Sequence, residues 1–97
     1  MLSQLPIDLR RVKEDVTDKE ILRAGMIAEL DAVNFYEQMA DMTDNAKVKA
    51  VLYDIAKEEK THIAEFQTLL LTLDAQQVEE NKKGKREVKK ELEKLEN

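Results

Sequence analysis

One stripe of side chains constrains this chain more than anything else in it. Stepping by three and four residues from Val48 gives Leu52, Ile55, Glu59, His62, Phe66, Leu69 and Leu73, apolar at every position but two. That spacing keeps one face of an α-helix together over about seven turns. A second stripe precedes it: Leu22, Met26, Glu29, Val33, Tyr36 and Ala40, interrupted by one carboxylate. Two helices cannot bury two such faces alone, so the pair reads as half of a four-helix bundle. An unpaired carboxylate in an apolar seam costs several kcal/mol, so something must meet the charges that interrupt these faces.

Local signals set the expected boundaries. Thr17-Asp-Lys-Glu20 has the form of a capping box and predicts a helix from about Asp18 to Met42. Met42-Thr-Asp-Asn45 reads as a short turn, with Thr43 or Asp44 capping a second helix from Ala46 to Leu73. Asp74-Ala-Gln-Gln77 predicts another cap and a shorter third helix. Gly84 is expected to break or bend it, with Glu87 to Leu95 helical again and Val88, Leu92 and Leu95 on one side. The chain thus reads as all-α and as one domain over residues 1–97. An N-terminal arm covers 1–16, where Leu9, Val12 and Val16 form a brief apolar face. A helical hairpin covers 17–74 and a helical tail 75–97.

Composition removes other classes. Two glycines and one proline in 97 residues are too few for many short strands, and no cysteine leaves no disulfide, thiolate zinc site or thiol nucleophile. No apolar run approaches the ~20 residues of a membrane span, and the first residues lack a secretory pattern, so a cytoplasmic protein without a membrane partner is expected. The net charge of −5 argues against a nucleic-acid partner. Residues 21–74 hold ten acidic and five basic side chains, which points cation chemistry to the hairpin.

Helix arithmetic brings the interrupting residues together. With the turn centred near Asp44, Glu29 lies fifteen residues before it and Glu59 fifteen after it. Both then stand about 22 Å from the turn in an antiparallel hairpin, level with each other. His62 is three residues past Glu59, on the same face. Di-iron carboxylate bundles use a Glu-x-x-His pair from each of two helices and one Glu from each of the other two. This chain carries half that set, Glu29, Glu59 and His62, so both the ligand count and the unfinished bundle call for a homodimer with metal at its interface. Tyr36, two turns from Glu29, is expected beside that centre or simply in the core. Met26 and Phe35 are expected in the core. Asp31 and Glu58 flank the ligand positions as solvated charges or as an uptake patch, and Glu65 is given no role beyond a local ion pair, for instance with Lys60.

On these residues the chain resembles the encapsulated ferritins, small ferritin-like proteins carried in encapsulin nanocompartments as cargo or fused to the shell protein. The resemblance rests on Ile27-Ala-Glu-Leu-Asp-Ala-Val-Asn-Phe-Tyr-Glu-Gln-Met-Ala40 and Ile55-Ala-Lys-Glu-Glu-Lys-Thr-His-Ile-Ala-Glu-Phe66, within residues 18–74. It implies iron ligands at Glu29, Glu59 and His62, with Tyr36 beside them. It implies homodimers arranged in an annular decamer, two irons at each dimer interface, and an encapsulin shell as partner. Some relatives carry an acidic entry patch on the first helix, of which Ala28 lacks one carboxylate and Asp31 keeps another, and Phe35 stands where some have Trp. The last residues, Glu91 to Asn97, do not resemble the apolar and basic targeting peptide of cargo members.

The expected function is therefore a ferroxidase that oxidises Fe²⁺ to Fe³⁺ with O₂ and feeds iron storage inside an encapsulin nanocompartment. A metal-stapled dimer without catalysis, or a helical interaction module, is the alternative on the same residues.

Overall fold

A computed structural model describes residues 14–96, with side chains from Thr17 onward. The described residues form three helices and no strand: α1 over Glu14–Met42, α2 over Ala46–Leu73 and α3 over Ala75–Lys94. The first two pair as the expected antiparallel hairpin, and residues 43–45 make its turn.

Three local expectations need correction. Helix α1 is already formed at Glu14, the first described residue, so Thr17 lies inside it and the capping box does not start it. Nothing in Glu14-Asp15-Val16 breaks a helix. The first thirteen residues of the expected arm, including Leu9 and Val12, lie outside the described residues, as does the side chain of Val16. The cap of α2 is Asn45, not Thr43 or Asp44: its Oδ1 accepts from the backbone N–H of Lys47 at 3.0 Å and of Val48 at 3.1 Å. Its extended backbone suits a cap. Thr43 instead holds the turn, its Oγ1 accepting from the Asn45 N–H at 3.2 Å. Finally, Gly84 does not break the element, since α3 runs through it without interruption. One glycine costs a helix about 1 kcal/mol relative to alanine, too little to stop a run of Lys, Arg and Glu on both sides.

Small residues set the packing of α1 against α2. Ala24, Ala32, Val33 and Ala40 are buried on α1, and Ala56 and Leu70 on α2. Polar pairs bridge the two helices nearer the turn: Lys60 Nζ meets Glu37 Oε2 at 3.1 Å, and the Tyr53 hydroxyl donates to Asp41. Met26 and Phe35, expected in the core, are only half-buried.

The expected cap at Asp74 is present and carries a second bond that spacing alone did not suggest. Its Oδ1 accepts from the Gln77 N–H at 3.0 Å, which starts α3, while Oδ2 accepts from Arg23 Nη2 of α1 at 2.7 Å. One carboxylate thus ties the corner of α2 and α3 back to α1. The Gln77 N–H first, and then Arg23 and Lys19, hold its carboxyl below the ordinary range against the opposing effect of burial. A carboxyl held low stabilises the fold above its unfolded-state value and loses that contribution as the pH falls through its folded value. Asp74→Asn should therefore melt below the wild type at neutral pH, and the two should converge once the pH falls below the ordinary carboxylate range. Thermal melts followed by circular dichroism at the two pH values check this.

The molecule is a thin plate. Its radius of gyration is 17.3 Å and its smallest extent 19 Å, whereas a compact chain of ~100 residues has a radius near 13 Å. The α2 stripe is wider than one contact. One edge, at Ala56 and Leu70, packs on α1, while Val48, Val51, Leu69 and Leu73 remain between 46% and 59% exposed. Ile21 and Leu30 on α1 are similarly bare. No described helix is long and apolar enough to cross a membrane.

Candidate metal centre

The level register brings Glu29, Glu59 and His62 to one point. One ligand atom from each lies within 4.8 Å of the others, and among the described residues this is the one such group of three or more. His62 Nδ1 stands 3.4 Å from Glu59 Oε2 and 3.5 Å from Glu29 Oε2. The two carboxylates are mostly enclosed, with 18% and 21% of their side chains exposed, and His62 closes the site from outside at 46%.

These spacings are long for hydrogen bonds. Glu29 Oε2 is buried and accepts none. An orphaned carboxylate oxygen of this kind costs more than an ordinary lost hydrogen bond unless a cation meets it. Donors that each stand about 2.1 Å from one ion lie about 3.0–3.4 Å from one another, close to the separations here. Two carboxylates and one imidazole are also a donor set that suits iron and other divalent metals. The residues present therefore fit a metal ion.

Phe66 and Leu69 wall the cavity beside Glu29 and His62. Phe66 is placed by Gly25: a Cβ on that glycine would lie 2.9–3.1 Å from three atoms of the ring. This explains a glycine in the middle of α1, which sequence reasoning passed over; an isolated helical glycine is the signal that was available. Gly25→Ala gains about 1 kcal/mol of helix propensity but overpacks the ring at a typical cost of about 1–3 kcal/mol. The expected result is a small net loss of stability with a larger loss of metal affinity. Chemical denaturation and metal titration of the same variant check it.

Tyr36 makes an edge-to-face contact with Phe35, ring centroids 5.4 Å apart. Asp31 and Glu58 are outside the three-residue cluster, half-buried and exposed respectively. Lys60 pairs with Glu37 rather than with Glu65, which corrects the expected local pair. Glu65 instead lines the cavity with Glu29 and His62.

Comparison with known proteins identifies the family of this chain. The model of the EncFtn-like family matches residues 7–71. The chain belongs to that family. A ferritin-like-encapsulin shell fusion protein of Pyrococcus furiosus is 50% identical over 91 residues, covering 92% of this chain and 26% of the relative. An encapsulin nanocompartment cargo protein of Myxococcus xanthus, EncC, is 41% identical over 69 residues, covering 68% of this chain and 53% of the relative. The chain thus spans between a quarter and about half of the length of these family relatives. The crystal structure of the encapsulated ferritin domain from Pyrococcus furiosus superposes with a TM-score of 0.79 at 44% identity, covering 93% of this chain and 92% of that one. The all-helical EncFtn-like fold is therefore shared along nearly the whole chain.

Proposed function

We propose that this EncFtn-like chain is a ferroxidase whose centre is completed by a second copy. The observation that carries the reading is the buried, unbonded oxygen of Glu29 facing Glu59 and His62 across the hairpin. Two chains supply four carboxylates and two imidazoles, the complement used by di-iron bundles, and the bare faces of α1 and α2 give the copies a surface to share. On this reading the assembled form is a homodimer built into a ring, by resemblance a decamer, with two irons at each dimer interface.

Fe²⁺ is the substrate and O₂ the electron acceptor, each ion giving up one electron. Hard carboxylate oxygens bind the more highly charged ion better and so favour its formation. Glu29 and Glu59 supply that charge from enclosed positions, and His62 supplies the nitrogen donor. Phe66 and Leu69 line the cavity with apolar surface, and apolar surroundings strengthen the attraction. Tyr36 is assigned a place beside the centre by resemblance alone. The names of the relatives, a shell fusion and a nanocompartment cargo, support an encapsulin shell as the partner that receives Fe³⁺. They likewise support the lumen of that compartment as its place of work.

A thin plate whose helices share their site between copies has no interior for mineral. Excess Fe²⁺ in air should therefore be oxidised quickly and then precipitate. The same iron should stay soluble when the chain is attached to an encapsulin shell. Absorbance of the ferric product, followed by size separation of iron and protein, tests both parts. Unchanged Fe²⁺ would leave only the metal-stapled dimer, and hundreds of soluble irons on the isolated assembly would reject the open-ring reading.

A further inference from the structure

The sequence where α2 meets α3 contains nothing that stops a helix. Leu69-Leu70-Leu71-Thr72-Leu73-Asp74-Ala75-Gln76-Gln77 has no glycine or proline, and Leu, Ala and Gln are strong helix formers. Yet α2 ends at Leu73 and α3 starts at Ala75. Only Asp74 stands between them, and its backbone (φ −130°, ψ 86°) lies outside the helical region. One continuous helix over residues 46–94 would be about 73 Å long, whereas the longest extent of the molecule is 51 Å. The two helices therefore meet at a corner made by a single residue.

Such a corner has a cost in the backbone. It leaves the last C=O groups of α2 and the first N–H groups of α3 without the partners that a continuous helix would give them. Packing offers little in return, since no residue of α3 is buried. What holds the corner is the enclosed carboxylate of Asp74. Its Oδ1 accepts from the Gln77 N–H at 3.0 Å and starts α3 afresh. Its Oδ2 accepts from Arg23 Nη2 at 2.7 Å, a charge-assisted bond that ties the corner to α1. We propose that Asp74 and Arg23 form a latch between two states of the chain. In the latched state, seen in this structure, α3 turns away from the line of α2. In the released state α2 and α3 run on as one helix, and the unpaired backbone groups of the corner find each other. The latch thereby sets where α3 presents its bare Val88, Leu92 and Leu95. It is separate from the metal reading, because neither residue belongs to the group of Glu29, Glu59 and His62.

The chain has no cysteine, so Lys57→Cys with Lys90→Cys supplies two unique labelling points, both exposed, on α2 and α3. Spin labels at these positions, with the labelled chain assembled in an excess of unlabelled chain, report the distance within one molecule by pulsed electron resonance. A straight helix separates residues 57 and 90 by about 50 Å, and the latched corner gives a clearly shorter distance. Adding Asp74→Ala should shift most of the population to about 50 Å, with helicity by circular dichroism unchanged or higher. Arg23→Ala keeps the cap but loses the tie, and should show both distances. Asp54→Ala removes the same charge from an exposed position of α2 and should keep the shorter distance. An unshifted distance in Asp74→Ala overturns the proposal, and so does an equal shift in Asp54→Ala. Lost helicity in Asp74→Ala also overturns it, since α3 would then melt rather than join α2. A purely short distance in Arg23→Ala removes Arg23 from the latch and overturns the two-residue form proposed.

Discussion

Replacing His62 with alanine is expected to remove stoichiometric metal binding and to cut iron oxidation by at least about a hundredfold. Substitutions in the outer shell of a metal site already cost about 10–100-fold, and His62 is placed in the inner set. It is the chain's only histidine, so no other imidazole can replace it. The loss is doubled by symmetry, because both copies at a shared centre lack the ligand at once. Glu59→Ala should match it, since Glu59 sits one turn away and faces the same Nδ1 at 3.4 Å. Glu29→Ala should be as inactive but more forgiving without metal. Removing the buried oxygen that has no hydrogen bond relieves a cost that the metal-free protein carries. Metal content after dialysis and initial oxidation rates, measured on the three variants together, check this order. A His62→Ala protein that oxidises iron at the wild-type rate contradicts the assignment.

Placing a charge on the bare face should be almost as damaging without touching a ligand. Val51 is 59% exposed and stands two turns before Glu59 toward the hairpin turn. Val51→Asp puts a carboxylate in the surface proposed to meet a second copy, where leaving it unpaired costs several kcal/mol. The variant should remain helical and become monomeric, and iron oxidation should fall with association even though Glu29, Glu59 and His62 are intact. Sedimentation with and without Fe²⁺ under nitrogen, alongside circular dichroism, separates lost assembly from lost folding. In the wild type metal should favour the assembled form by mass action, about 2.7 kcal/mol at a hundredfold excess over its Kd. A wild-type chain that stays a well-folded monomer in saturating metal rejects the shared centre.

The convergence of Glu29, Glu59 and His62 was legible in the sequence because it depends on two local regularities. Rise per residue makes Glu29 and Glu59 level, and 3.6 residues per turn puts His62 beside Glu59. Neither needs knowledge of how the helices cross. The cap at Asp74 was legible for the same reason, as a short side chain two or three residues before the N–H it accepts. The errors at Thr17, Thr43 and Gly84 share another cause. A capping pattern also occurs inside helices, neighbouring residues compete for one cap, and a single glycine yields to strong helix formers around it.

The sequence by itself determined three helices, a three-residue turn and the height of the three converging side chains, because hydrogen bonds and helical rise are properties of a few neighbouring residues. It did not determine how one helix is rotated against the other. That rotation decides that Ala56 and Leu70 pack inward while Val51 and Leu69 stay bare. It brings Gly25 under the Phe66 ring and Arg23 to Asp74 across 51 positions of chain. It also turns Glu65 toward the cavity of Glu29 and His62. A stripe of apolar residues spans more than one contact surface, so periodicity marks the face, and only close packing of small side chains selects the edge that is buried.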